Sequence, residues 1–402
     1  MDITTPQSVG LSAARLGRID SFMQGHVDRR TVPGLITLVA RHGKVAHCRC
    51  FGLMDAEAGA SMRMDAIFRI YSMTKPITCA ALLMLFEEGL FQLTDPVSAF
   101  IPAFKDTKVF VRNTATGTEL ADLKRPISIH DIFTHTSGLS YGFEQDTPVD
   151  ELYRRALPGK RTRTPLSEAT NNLARLPLVF QPGTAWRYSY AHDVVGHLVS
   201  VLSGMTFPHF LEERVFRPLG MVDTGFFVPP TKLDRLAALY SGTPAGGLAL
   251  VDSPAKSEWV DPEITPSGGG GLLSTISDYL RFAQMLLNGG ALDGVRLLSR
   301  KTVELMTRNH LPSSMLPFAV TPGKPLPGFG YGLGVGVLMN AADAEELASD
   351  GMYQWNGAAS TRWWNDPKED LIGLMMIQTL RGDLLPQIGQ AFGVLTYQAI
   401  DD

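Results

Sequence analysis

The sequence predicts an α+β fold: one antiparallel β-sheet, flanked by helices and built from both chain ends, with a mainly helical segment inserted between them. Three observations predict it. Residues 33–51 read as two strands joined at His42-Gly43. The middle of the chain has helical patches separated by Pro- and Gly-containing loops and few strand-like runs. Residues 331–377 return to strand-like runs. Strands at both ends of a helical middle point to one sheet closed by the two termini, with the helices as an insertion. The 402 residues then divide into a sheet domain (1–89 and 240–402) and a helical domain (90–239), with the active site expected between them. At about 150 residues per domain, two to three units is the ordinary expectation.

The elements follow in order. Leu11-Ser12 to about Val27 has a helical pattern, with Ser12 placed as its N-cap. Pro33 to Arg41 and Lys44 to Phe51 form the hairpin. After Phe68-Arg69-Ile70-Tyr71, the residues Ile77, Ala80, Ala81, Met84 and Leu85 recur at helical spacing and predict one apolar face. Pro76 lacks an N–H and fits only near a helix start, so this helix must begin within a residue or two of Ser72. Further on, Ala191, Val194, Val195, Leu198 and Leu202 repeat the helical spacing, and Gly204 is a C-terminal stop. Thr275 and Asp278 have the form of a capping box ahead of Tyr279, Phe282, Ala283, Leu286 and Leu287. The last strands are expected at 331–339, 352–355, 360–364 and 371–377, and a final helix at about 384–399.

Composition narrows the function. With 45% hydrophobic and 19% charged residues the chain is globular rather than disordered. A net charge of −4 gives no reason to expect nucleic acid or an anionic membrane as partner. No run approaches the roughly 18 apolar residues of a membrane span. The opening Met-Asp-Ile-Thr-Thr-Pro-Gln lacks the basic and apolar regions of a secretory signal, so the expected location is cytoplasmic. Cys48, Cys50 and Cys79 form no regular framework and are expected as buried thiols. Nothing predicts the oligomeric state.

The chemistry is expected at Ser72-Met73-Thr74-Lys75. Spacing of three on a helix puts both ends on one face, so the Lys75 amine can reach the Ser72 oxygen. A serine hydroxyl needs an adjacent base to act as nucleophile. A lysine serves only when burial or nearby positive potential disfavours its charged form, and a helix N-terminus supplies such potential. Ser-x-x-Lys alone is weak, since a chain of this length holds on the order of one by chance. A second copy, Ser253-Pro254-Ala255-Lys256, leads into no amphipathic helix and reads as surface loop. Tyr188, after the turn Gln181-Pro182-Gly183-Thr184, is the candidate third group, the alternative being a core tyrosine.

At this point the chain resembles the serine β-lactamase and penicillin-binding-protein superfamily, and within it most closely the family VIII carboxylesterases, which share the class C β-lactamase fold. Ser72-x-x-Lys75 resembles the first motif. Thr134-His135-Thr136-Ser137-Gly138-Leu139 resembles a structural signature. Phe180 to Tyr188-Ser189 resembles the second motif. Pro218-Leu219-Gly220-Met221 and Gly269 to Thr275 match further signatures, and Trp355-Asn356-Gly357 falls where the third motif should be. Two departures matter. Tyr188-Ser189-Tyr190 lacks the asparagine of the β-lactamase second motif, which the resemblance implies would bind a β-lactam amide. Trp355 replaces the third-motif lysine, which would help hold a substrate carboxylate. Both losses favour a smaller, neutral ester.

The resemblance therefore implies ester cleavage by Ser72, with Lys75 and Tyr188 handling the proton and the backbone N–H groups of Ser72 and Ala358 holding the oxyanion. Tyr71, Trp186, Tyr190 and Trp355 are expected to line the substrate pocket, with core packing as the alternative. No metal or organic cofactor is implied. The rival readings are β-lactam hydrolysis, D-amino-acid peptide cleavage or acyl transfer on the same site, and a non-catalytic ligand sensor on this fold.

Three patterns are expected to be decoys. Gly138-Leu139-Ser140-Tyr141-Gly142 has the form of a nucleophile elbow but lies in a polar loop without the strand before and helix after that it needs. His192 and His197 are five apart, unlike an i, i+4 metal pair. The glycines Gly268 to Gly271 lack the ending of a phosphate loop and read as a tight turn at the pocket.

Overall fold

The computed structural model describes residues 2–114, 117–157, 161–243 and 247–402. Its centre is an eight-stranded antiparallel sheet with strands β1 (Gly34–Arg41), β2 (Lys44–Asp55), β3 (Ala60–Ser61), β4 (Phe329–Tyr331), β5 (Gly336–Leu338), β6 (Tyr353–Asn356), β7 (Arg362–Asp366) and β8 (Leu371–Ile377). The order is β4-β5-β6-β7-β8-β1-β2-β3. The two chain ends meet where β1 pairs with β8, Leu35 opposite Ile377 and Arg41 opposite Leu371. His42 (φ 53°) and Gly43 (φ 70°) both take left-handed backbone, the geometry of a two-residue hairpin loop.

The sheet is buried on both faces. Ile36, Leu38, Ile372, Leu374 and Met376 join the core that contains helices α2 (Thr74–Glu87) and α4 (Ile276–Leu287). Leu35, Val39, Met375 and Ile377, one position out of step, pack with Ile19, Met23 and Phe392 of helices α1 (Arg18–Asp28) and α5 (Gln390–Tyr397). Side chains alternate across a strand, so two apolar faces give the near-continuous hydrophobic runs of β1 and β8.

Four expectations are corrected. The helix after Ser72 is buried on every side from Thr74 to Leu85, not along one stripe. It packs on helix α3 (Ala191–Ser203) and shares one buried core with the sheet residues Ile36 and Ile372. The run expected as one strand at 331–339 is a hairpin of β4 and β5. Gly334 turns it with φ 94°, in a spot where a Cβ would meet the Cys79 side chain at 2.5–2.8 Å. The first helix breaks at Gly17 into Ala13–Leu16 and α1, with Ser12 accepting the Arg15 N–H as N-cap. The final helical stretch opens with a π-turn at Leu385–Gly389 before α5.

The middle of the chain holds the helices Ile129–Phe133, Pro148–Ala156, Leu166–Ala174 and α3, together with a hairpin of Lys108–Thr114 and Gly117–Asp122. That hairpin was not expected: only Val109 on it is fully buried, so it lacks an apolar face to read. Among the described residues, no single helix is long and apolar enough to cross a membrane. The pair Ala191–Ser203 and Phe207–Leu219 has the composition but bends by 80°.

Candidate active site

Ser72 sits where a short strand, Phe68–Arg69, meets helix α2 through the 3₁₀ turn Tyr71–Met73. Tyr71 takes φ 43°, a left-handed conformation unfavourable for a tyrosine and found where surrounding structure over-determines it. Three contacts from distant segments fix the turn. The Ile70 N–H donates to the Leu272 carbonyl (3.1 Å). The Tyr279 hydroxyl donates to the Met73 carbonyl (3.0 Å), and the Leu272 N–H donates to the Thr74 hydroxyl (3.1 Å).

Lys75 is fully buried in the first turn of α2. Its Nζ donates to the Ser72 Oγ at 3.1 Å, to the Tyr141 Oη at 3.0 Å and to the Gly269 carbonyl at 2.6 Å. Among the described residues Lys75 forms no hydrogen bond with Tyr188, its expected partner in handling the proton. Instead Nζ lies 4.4 Å from the centre of the Tyr188 ring, a cation–π contact. The Tyr188 hydroxyl accepts from the Trp355 indole N–H at 3.2 Å, which leaves its own proton free to donate. The two tyrosines therefore bracket the ammonium, one by its oxygen and one by its face.

Tyr141 is the residue that the sequence reading passed over. It stands one position after Ser140, inside the elbow-like pattern set aside as a decoy. Burial pushes its hydroxyl well above the usual tyrosine range, and the nearby Asp193 carboxylate adds to the push. Tyr141→Phe is expected to lower kcat/KM for an ester roughly 10- to 100-fold, the loss of one hydrogen bond to a buried charge. Steady-state kinetics on a chromogenic ester checks this.

The third-motif segment comes from the end of β6. A side chain at Gly357 would run into the Ile70 carbonyl, and this close approach brings the next residue, Ala358, up to the Ser72 turn. The Ala358 N–H has no protein acceptor among the described residues. Asn356 pairs with Arg362 across the sheet and leaves its Oδ1 buried and unpartnered.

Aromatic rings surround this centre. Trp186 stacks on Tyr188 (6.1 Å, 11°) and touches Phe318 at 4.7 Å. Tyr190 meets Tyr141 edge-on at 4.5 Å, and Trp355 lies 5.7 Å from Tyr188. On the other side Tyr71 stands edge-on to Trp259 (5.7 Å), whose face also carries the Arg161 guanidinium at 3.7 Å. Behind Tyr188, His135 packs against it at 4.9 Å and against His192 at 4.3 Å. Burial lowers both histidines, His192 to about 3, so they remain neutral beside Lys75.

The decoys resolve into structural parts. Ser140 is fully buried, donates to Asp150 (2.7 Å) and accepts from Arg187 (3.1 Å) and the Gly142 N–H. His192 bonds the Phe133 carbonyl and His197 bonds Thr170, so the two share no site. Lys256 is exposed at the end of a 3₁₀ turn. Gly268 and Gly269 aim their carbonyls at Thr78 and Lys75.

Glu144, Asp146 and Asp150 cluster closely enough to hold a cation, and the Arg187 guanidinium already fills that place, pairing with all three. Burial, reinforced by the two aspartates against the pull of Arg187, raises Glu144 to about 7. The folded state then binds a proton that the unfolded chain releases from about pH 4.5 upward, so this group's stabilisation fades as pH rises through 7. Glu144→Gln mimics the protonated form. Its Tm relative to the parent is expected to rise between pH 5 and pH 8, read by thermal melts of both proteins across that range.

Residues 19–389 match the Beta-lactamase family. Protein Rv1367c of Mycobacterium tuberculosis (strain ATCC 25618 / H37Rv) is 37% identical over 360 residues, 87% of each chain. Esterase EstB of Burkholderia gladioli is 31% identical over 395 residues, 93% of each chain. The solved structure of EstCE1, described as a hydrolase with promiscuous acyltransferase activity, has a TM-score of 0.82 and 26% identity. It covers 96% of this chain and 99% of that one. A match running through both chain ends and the middle, on a shared fold and above 30% identity, makes the chain a member of the Beta-lactamase family.

Proposed function

We propose that the chain is a carboxylesterase that cleaves short-chain esters through an acyl-enzyme on Ser72, in a cleft between the sheet unit (1–89 and 240–402) and the mainly helical segment (90–239). One observation carries the reading: the amine of a fully buried lysine lies 3.1 Å from the Ser72 oxygen at a helix start.

The Ser72 Oγ attacks the ester carbonyl carbon, and its proton passes to Lys75 and the tyrosines beside it. Backbone N–H groups of Ser72 and Ala358 hold the oxyanion; losing one such donor costs about 10²–10³ in rate. The carbon–oxygen bond to the alcohol breaks, and the departing oxygen takes a proton from Tyr188. Water then adds to the acyl-enzyme, the carboxylic acid leaves, and Ser72 regains its proton. Tyr71, Trp186, Tyr190 and Trp355 supply an apolar lining for a small ester. Trp355 in place of a lysine disfavours an anionic β-lactam.

Acyl transfer is the second reading. An aromatic wall receives an alcohol in place of water, and the similarity to EstCE1, a hydrolase with promiscuous acyltransferase activity, supports it. A cytoplasmic location goes with the proposal, supported by three unbridged thiols.

The test compares turnover of a short-chain aryl ester with that of a cephalosporin, and maps the adduct of a phosphonate inhibitor by mass spectrometry. Faster ester turnover and an adduct on Ser72 are expected. Much faster β-lactam turnover sinks the esterase reading; an adduct on Ser140 sinks the site.

A further inference from the structure

We propose that Asp193 is a positioning residue for this reaction: its carboxylate is the counter-charge of Lys75 and holds the glycine loop on which the lysine's amine rests. The inference builds on the serine-hydrolase reading.

Lys75 poses an electrostatic problem. A fully buried ammonium is costly unless an opposite charge accompanies it. Yet its three bonded partners are a hydroxyl, a phenol and a peptide carbonyl, and it forms no ion pair among the described residues. The titratable groups that face it are Tyr141 and Tyr188, on opposite sides, then His135, His192, Cys79 behind it on its own helix, and Asp193. The histidines are neutral, and burial holds the thiol and the Tyr141 phenol in their protonated forms. Asp193 is the one carboxylate of the set.

An acid in the first turn of a helix ordinarily serves the helix dipole and faces water. Asp193 occupies that place in α3 and does something else. Its Oδ1 accepts the Ser267 hydroxyl at 2.6 Å and the Gly269 N–H at 3.4 Å. Gly269 is the residue whose carbonyl receives the Lys75 Nζ. The Asp193 Oδ2 is buried with no hydrogen-bond partner. A Cβ built on Gly269 would lie 2.8 Å from that oxygen and 2.7 Å from the Tyr141 Oη, so the carboxylate and the phenol converge on the same glycine. The chain Asp193, Gly269 and Tyr141, Lys75, Ser72 thus runs from a buried acid to the nucleophile. Burial raises the Asp193 carboxyl above the usual carboxylate range, and Ser267, Lys75 and the Gly269 N–H restrain that rise.

Asp193→Asn tests the charge while keeping the shape and the Oδ1 acceptor. Without the counter-charge the ammonium form of the lysine is less favoured. The acid limb of the kcat/KM profile on an aryl ester is expected to move about one unit to lower pH, with a plateau about tenfold lower. A purely structural role would change activity or melting temperature and leave the limb in place. Ser267→Ala, which removes one hydrogen bond from the carboxylate, is expected to move the limb the same way by less. It keeps the test open should Asp193→Asn not fold. An acid limb unmoved in whichever variants fold overturns the proposal. A parent protein that neither turns over esters nor forms a Ser72 adduct fails the serine-hydrolase reading instead, before this comparison begins.

Discussion

Ser72→Ala is expected to cut ester hydrolysis by at least roughly 10⁴-fold, because no other serine or threonine hydroxyl bonds Lys75 among the described residues. The other serine in a hydrolase-like pattern, Ser140, is locked among Asp150, Arg187 and the Gly142 N–H. Ser72 contributes little to packing, its one bonded side-chain partner among the described residues being Lys75. The variant should therefore melt within a few degrees of the parent and lose its phosphonate adduct. Activity within a few-fold of the parent would remove Ser72 from the chemistry, and calorimetry beside single-turnover kinetics separates that outcome from misfolding.

A comparable loss should follow at the other end of the motif. Lys75→Met keeps the volume and the burial while removing the amine, and general-base contributions run to roughly 10²–10⁴-fold. Phosphonate labelling of Ser72 should slow in parallel, since the hydroxyl is no longer activated. Lys75→Arg is expected to fail as well: a guanidinium keeps its proton and cannot take another. Recovery of labelling with arginine would mean that the charge, and not proton transfer, is what the site requires. Rates of adduct formation across both variants decide the point.

The outline of this site was legible in the sequence because its first half is local. Ser72, Lys75 and Pro76 lie within one helical turn, and the period after them marks the helix. Tyr188 came from a turn and a motif. Tyr141 and Asp193 were hidden for one shared reason: their partners lie far along the chain. The Lys75 Nζ reaches the Gly269 carbonyl across 194 positions and the Tyr141 hydroxyl across 66. No periodicity encodes such meetings. Both residues also stood inside patterns dismissed for good reasons, Tyr141 beside the elbow-like Ser140 and Asp193 beside His192. The sheet was predictable from apolar runs at both ends, whereas the hairpin at 108–122 was not, since almost nothing on it is buried.

The pairing of β1 with β8 has a consequence for how the protein is made. Leu35 leaves the ribosome well before its strand partner, Ile377. Until then β1 has only β2 beside it, with one edge open, and such late, non-local closure is slow and exposes a sticky edge to other chains. The same ordering governs the onset of reactivity. Ser72 and Lys75 are synthesised early, but Gly269 and Ala358 come from the later part of the chain. A nascent chain therefore holds Ser72 and Lys75 before it has the glycine loop on which the lysine's amine rests.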